Sequence, residues 1–161
     1  MTLRTHPEFS IWDWKNYSEQ KKVDLDAFIK KHREKGAKFY VGTDSQNHPK
    51  KKACVFTSAL IAYTMGFGGS IITHSDKLPI IENLRERLLM EAMRSLEVAW
   101  YLNTKIPQEN VITIHLDVNE NVIFKSGKYK DELVGLIMAQ GFSVSHKPHS
   151  WAASSVADRR C

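Results

Sequence analysis

Short runs of β-branched and apolar residues predict five strands. They cover about residues 38–44, 53–64, 70–75, 111–117 and 142–146. The turn residues at 47–50 separate the first two strands. The glycines of 65–69 provide a hairpin connection between the second and third strands. No Gly-Lys-Ser/Thr and no helix follow these glycines, so they do not indicate a phosphate-binding loop.

Helical periodicity predicts four helices between and beyond these strands. Asp24 provides an N-cap for the first, which ends near Gly36. The second is long and runs from Pro79, a residue suited to a first turn, to about residue 103. The third covers 130–140, and a terminal helix covers 150–160. Residues 1–21 have no periodic pattern, and we expect Trp12 or Trp14 to anchor that segment.

The predicted order of elements is β-β-β-α-β-α-β-α. Three hairpin-connected strands followed by βαβ crossovers predict an α/β fold with a mixed five-stranded sheet and helices on its faces. This order resembles the ribonuclease H-like fold. We expect residues 1–36 to form an N-terminal extension and helix packed on the core, and residues 37–161 to form the ribonuclease H-like domain.

Composition favours a water-soluble domain and excludes few functions. The 161 residues are 42% hydrophobic and 25% charged, and the formal net charge is +5. A modest basic excess is compatible with a nucleic-acid partner. No apolar run is long enough to span a membrane, and no secretory segment opens the chain. Cys54 and Cys161 lack metal-ligand spacing, so we expect free thiols and a cytoplasmic location.

Two of the predicted strands end in an aspartate. Asp44 ends the run that begins at Phe39, and Asp117 ends the run that begins at Val111. If the two strands are parallel neighbours, both carboxylates lie at one edge of the sheet, where they repel unless a cation lies between them. The alternative is that each aspartate only begins a turn.

The ribonuclease H-like order implies further acidic ligands on the long helix and the terminal helix. On a helical wheel Glu91 lies beside the apolar stripe, whereas Glu86 and Glu97 lie almost opposite it. We therefore choose Glu91, with Glu86 as the alternative, although an ion pair of Glu91 with a neighbouring arginine (Arg87 or Arg94) would also explain it. Asp158 is the acid of the terminal helix.

The chain resembles the YkuK-like family, a ribonuclease H-like family of unknown function. The resemblance is carried by Tyr40-Val41-Gly42-Thr43-Asp44-Ser45-Gln46, Arg87-Leu88-Leu89-Met90-Glu91, His115-Leu116-Asp117-Val118-Asn119, and Lys147-Pro148 with Trp151 to Arg159. It covers nearly the whole chain, and the last block is the most specific. The typical basic handle of ribonuclease H is missing, so the substrate of that enzyme is not carried over.

The resemblance implies a metal-dependent nuclease. Asp44, Glu91, Asp117 and Asp158 would hold two Mg²⁺ or Mn²⁺ ions, with Asp44 shared between them, and the substrate would be RNA, DNA or a hybrid. An exonuclease or junction resolvase would differ only in substrate geometry. The alternative from another class is a non-catalytic module that binds nucleic acid or protein. The oligomeric state is left open.

Three other features bear on function. His146 and His149 lack a third ligand nearby, which disfavours a zinc site. His115 is expected to share a strand face with Asp117. The basic turn at residues 48–52 either keeps a hairpin soluble or contacts a phosphate backbone.

Overall fold

The computed structural model describes residues 13–107, 111–116, 127 and 129–146. These residues form seven strands: β1 Trp14–Asn16, β2 Lys22–Val23, β3 Lys38–His48, β4 Ala53–Thr64, β5 Gly68–Pro79, β6 Ile112–Leu116 and β7 Ser143–His146. They also form three α-helices: α1 Leu25–Glu34, α2 Leu84–Lys105 and α3 Lys130–Ala139. The predicted terminal helix at 150–160 lies outside the described residues.

The strands form one mixed sheet in the order β2-β1-β5-β4-β3-β6-β7. Two antiparallel hairpins join β3, β4 and β5, and β6 lies parallel to both β3 and β7. The mixed sheet and the parallel pairing of the strands that precede Asp44 and Asp117 were both predicted. These pairings confirm an α/β fold of the ribonuclease H-like class.

The prediction of five strands was wrong, because β1 and β2 extend the sheet beyond β5. They are only three and two residues long, too short for a period-2 pattern to be recognised in the sequence. Trp14 begins β1 and is fully buried, which confirms that a tryptophan anchors this segment. Trp12 lies outside the described residues.

β3 continues past its predicted end. Every residue from Lys38 to His48 pairs with a residue of β4, so Asp44 lies within the strand and not at its end. The reversal that follows is a short 3₁₀ turn, Pro49–Lys51. Asn47 and His48, which were predicted in the turn, belong to the strand because cross-strand pairing continues to His48.

The boundary between β5 and α2 also differs from the prediction. Pro79 ends β5 opposite Ala53, where the missing backbone N–H is tolerated near the end of a strand. The helix begins five residues later at Leu84. Its N-cap is Asn83, whose side chain accepts a hydrogen bond of 2.9 Å from the backbone N–H of Glu86. This bond satisfies a backbone N–H in the first turn of the helix. Pro79 has no side-chain acceptor and could not have formed such a cap.

The three helices share one hydrophobic core on a single face of the sheet. Its members come from α1 (Phe28, Ile29), α2 (Leu96, Leu102), α3 (Leu133, Ile137) and the strands (Phe39, Val41, Leu60, Ile72, Ile114). Asp24 caps α1 by accepting a 2.9 Å bond from the N–H of Ala27, as predicted. On the opposite face a smaller cluster contains Ala59 and Ile61 with Tyr17, Tyr40 and Ile71 packed against it.

Candidate functional site

Glu91 is the acidic residue of α2 that enters the core. Only 7% of its surface is exposed, whereas Glu86, the alternative, is exposed in the first turn. This confirms the position that the helical wheel gave to Glu91, but its role as a metal ligand stays a prediction. The wheel placed Glu97 on the solvent-facing side of the helix, and this was wrong because Glu97 is half-buried. Neighbouring elements cover more of the surface of α2 than the apolar stripe alone.

The carboxylate of Glu91 is bound to β3. The hydroxyl of Ser45 donates a hydrogen bond of 2.5 Å to Oε1 of Glu91, and both residues are buried. A charge-assisted bond of this length fixes the orientation of a carboxylate. Ser45 was not among the predicted site residues, although its position directly after Asp44 was noticed in the sequence.

Asp44 lies next to Ser45 but faces the other side of the sheet. Successive side chains of a strand alternate between faces. The hydroxyls on either side of Asp44 both face α2: Thr43 Oγ1 lies 2.8 Å from Ser95 Oγ, and Ser45 binds Glu91. The half-buried side chain of Asp44 therefore leaves β3 on the face opposite α2. Its cross-strand neighbour on β4 is Thr57.

β3 continues past its described pairing with β6. The parallel pairing is described from Phe39 opposite Ile112 to Gly42 opposite His115, while β3 itself continues to His48. Asp44 and Ser45 lie two and three residues beyond Gly42, and the chain that follows Leu116 lies outside the described residues.

Two of the four predicted ligands lie outside the described residues. Asp117 follows directly after the last residue of β6 in sequence, and Asp158 belongs to the predicted terminal helix. Within the described ranges no group of three or more His, Cys, Asp or Glu could hold a metal ion. Since only Asp44 and Glu91 of the four are described, the convergence of the full set stays a prediction. His149 also lies outside the described residues.

His115 is the buried imidazole of β6. It is 2% exposed, and its ring lies 5.2 Å from that of Tyr40. Burial lowers the pKa of His115 to about 4, so the ring is neutral near pH 7. A neutral imidazole adds no positive charge to this face of β6.

A further polar cluster lies on the α2 face of β4 and β5. Arg94 binds Oδ2 of Asp76 at 2.9 Å, and its guanidinium lies 4.6 Å from the centre of the Phe56 ring. Arg94 was one of the two predicted alternative partners of Glu91. Cys54 is fully buried beside these charges, and burial raises the pKa of its thiol. The thiol is therefore a protonated core group, as the sequence indicated.

The basic turn of residues 48–52 lies at the Asp44 end of β3. Its lysines, Lys50, Lys51 and Lys52, are all exposed, and His48, where β3 ends, is four residues from Asp44. At about 3.3 Å per residue, that separation is roughly 13 Å along the strand. The described structure therefore brings a cationic surface close to the candidate carboxylates.

The mixed sheet, its parallel β3–β6 pair and the acidic residue that α2 brings to β3 define an α/β protein of the ribonuclease H-like class. The sequence matches the family described as Ribonuclease H-like over residues 21–161. The chain belongs to this family, which is the YkuK family. No curated protein matches the chain. Among the described helices, none is long and apolar enough to cross a membrane.

Proposed function

We propose that this protein is a divalent-metal-dependent nuclease that hydrolyses phosphodiester bonds in RNA, DNA or an RNA/DNA hybrid. The observation that supports this most is the buried carboxylate of Glu91, bound by Ser45, which directly follows Asp44 on β3. A carboxylate oxygen held in a fixed orientation is a suitable ligand for a hard divalent cation.

The donor atoms fit a hard divalent cation. Asp44 and Glu91 offer carboxylate oxygens, which Mg²⁺ and Mn²⁺ prefer, and Asp117 and Asp158 would complete the set. When bound, the cations supply a water of lowered pKa and charge stabilisation for the departing oxygen.

The protein's own residues position the nucleic acid and the ligands. Ser45 fixes the orientation of Glu91, and Asn47 holds the segment before α2 through two bonds to the backbone of Ile81, 2.9 and 3.3 Å long. The basic turn offers three exposed ammonium groups to phosphates. In this proposal the basic turn would bind the substrate, and the carboxylates would hold the metal.

Cleavage of labelled RNA, DNA and hybrid by the wild type, Asp44→Asn and Asp131→Asn tests the proposal. Asp131 is an exposed acid in the first turn of α3 and serves as the matched control. We expect cleavage with Mg²⁺ or Mn²⁺, none with chelator, and a loss of roughly 100-fold or more in Asp44→Asn, because metal-based charge stabilisation contributes several kcal/mol.

Circular dichroism should show that Asp44→Asn remains folded. Equal cleavage by Asp44→Asn and the wild type would contradict the assigned site. Binding of nucleic acid by the wild type without cleavage of any substrate would replace the nuclease with the alternative, a non-catalytic binding module.

A further inference from the structure

The β4–β5 hairpin exposes three large apolar side chains at its end. Tyr63 is 42% exposed, Met65 86% and Phe67 82%. We refer to residues 63–68 as the hairpin tip. Clustered exposed aromatic side chains are unusual on a soluble domain and mark interaction surfaces.

The backbone of the hairpin tip leaves these side chains accessible. The turn is closed by a 2.9 Å bond from the N–H of Phe67 to the carbonyl of Thr64. Gly66 and Gly68 have φ angles of +86° and +85°, which favour glycine. No atom lies within 4 Å of the position that a Cβ would take at either glycine. The chain on both sides of Phe67 therefore carries no side chain that would block a flat ligand.

Cationic side chains lie at the edge of the sheet that carries the hairpin tip. Lys38 begins β3 directly opposite Tyr63, so the two side chains are neighbours on one face of the sheet. The C-terminal ends of α1 and α2 meet at the same edge, where Arg33 Nη1 donates a 2.7 Å bond to the carbonyl of Lys105. The basic residues at this edge are Lys31, Arg33, Lys35, Lys38 and Lys105, and α1 adds one acid there, Glu34.

A cavity opens beside the hairpin tip, between α1 and the start of β5. Its volume is about 520 Å³, within the range typical of ligand pockets. Its lining includes Gly69, which follows the tip, together with Tyr17, Phe28, Lys31 and the acid Asp24.

We infer that the hairpin tip is a base-stacking contact for single-stranded nucleic acid, with Phe67 as the stacking residue and Lys38 as a phosphate contact. This rests on the proposed function, since the strand would be the substrate. A second copy of the chain is disfavoured because self-association would bring two basic edges together. Lys38 and Asp44 are six residues apart on β3, roughly 20 Å. A strand that contacts both would need about six nucleotides if its bases are stacked at about 3.4 Å each.

Fluorescence anisotropy with labelled 20-nucleotide single strands tests this inference, with the full chain in chelator so that no cleavage occurs. Phe67→Ala should weaken binding roughly tenfold, the loss of one stacked base. Phe67→Tyr should keep the affinity and Phe67→Leu should not, because stacking needs an aromatic face. Lys38→Gln should lower the slope of log K against log salt by about 0.7, the value for one phosphate contact.

Met138→Ala is the matched control, because Met138 is 62% exposed on α3. It should bind like the wild type. The inference is overturned if Phe67→Ala binds as tightly as Met138→Ala, or if sedimentation shows that Phe67→Ala dissociates a dimer. Loss of binding in Phe67→Ala supports the contact even where the wild type cleaves nothing. If the wild type cleaves nucleic acid but Phe67→Ala binds the strand as tightly as the wild type does, the stacking contact is refuted and the proposed nuclease stands.

Discussion

Ser45 and Glu91, 46 positions apart in the chain, are joined by a buried hydrogen bond of 2.5 Å. Ser45 directly follows Asp44 in the chain. Its hydrogen bond to Glu91 therefore connects α2 to the strand that carries the first predicted metal ligand. The bond makes Ser45 a positioning residue for Glu91, because it restricts the carboxylate without itself lying among the predicted ligands.

Ser45→Ala should weaken Mn²⁺ binding and destabilise the fold. Losing the Ser45 bond to Oε1 should lower the free energy of unfolding by about 1–3 kcal/mol, and the loosened carboxylate should raise the Kd for Mn²⁺ roughly tenfold. Urea unfolding and titration calorimetry measure the two effects.

Ser95→Ala is the control for that comparison. Ser95 is also buried and its hydroxyl binds Thr43, whereas Ser45 is the hydroxyl bound to Oε1 of Glu91. We expect similar destabilisation with unchanged Mn²⁺ affinity. Equal Mn²⁺ affinities in Ser45→Ala and Ser95→Ala would show that Ser45 is only structural.

Metal should stabilise the fold at neutral pH and less so in acid. A ligand that binds only the folded chain, at 100 times its Kd, adds about 2.7 kcal/mol, which for a chain of this size raises the Tm by roughly 5–10 °C. Protons compete with the cation for the carboxylate oxygens, so the rise should shrink in acid.

Thermal scans with and without Mn²⁺ at pH 7.5 and pH 5 measure this rise. Asp44→Asn should blunt it, and Asp131→Asn should not. A rise of the same size in Asp44→Asn and the wild type would place the cation elsewhere on the protein.

Arg94→Ala should destabilise the fold more than Arg85→Ala. The Arg94 side chain is 13% exposed and stacks on Phe56 while binding Asp76, which is 34% exposed. Its removal leaves a partly buried carboxylate without that partner, at about 2 kcal/mol. Arg85 pairs with Glu132, but their side chains are 51% and 42% exposed, so solvent screens the pair and its loss should have a smaller effect. Urea unfolding gives both values, and equal losses would show that burial adds nothing to the Arg94 pair.

His32 should make the fold less stable in acid. It is 6% exposed and packs on Phe28, with ring centres 4.5 Å apart. Burial, and then the charges of Lys31 and Lys35, lower the pKa of His32 from 6.5. The unfolded chain therefore binds a proton at a higher pH than the folded chain does, so stability is lost as the pH falls below about 6.5.

His32→Gln should reduce this loss between pH 7.5 and pH 5.5 in urea unfolding experiments. Some dependence should remain, because burial also lowers the pKa of His115. His48→Gln, in the terminal residue of β3, should keep the wild-type dependence. If His32→Gln and the wild type lose the same stability, the buried His32 ring is not the source.

Much of the fold could be predicted because its signals are local. The long β-branched run of β4 gave the bounds Ala53–Thr64 that the structure has. Asp24 marked the start of α1, and the apolar stripe of α2 placed Glu91 at the buried face. Each of these depends on residues within a few positions of one another, which a sequence displays directly.

Other features depend on pairing between distant segments. β3 extends to His48 because β4 pairs with it over its full length, and β1 and β2 become strands only because β5 offers an edge. Pro79 looked like a helix start, but its place opposite Ala53 made it the end of a strand. Local preference yields wherever cross-strand hydrogen bonds satisfy more backbone groups.

For the candidate site, the sequence by itself determined the candidates Asp44 and Glu91, since their residue types and periodic positions are local properties. Only the tertiary structure decided that Ser45 is the partner of Glu91, and that Asp44 starts from the other face of β3. The physical reason is that strand register and helix placement fix those relationships. Both are set by packing between segments that lie tens of residues apart.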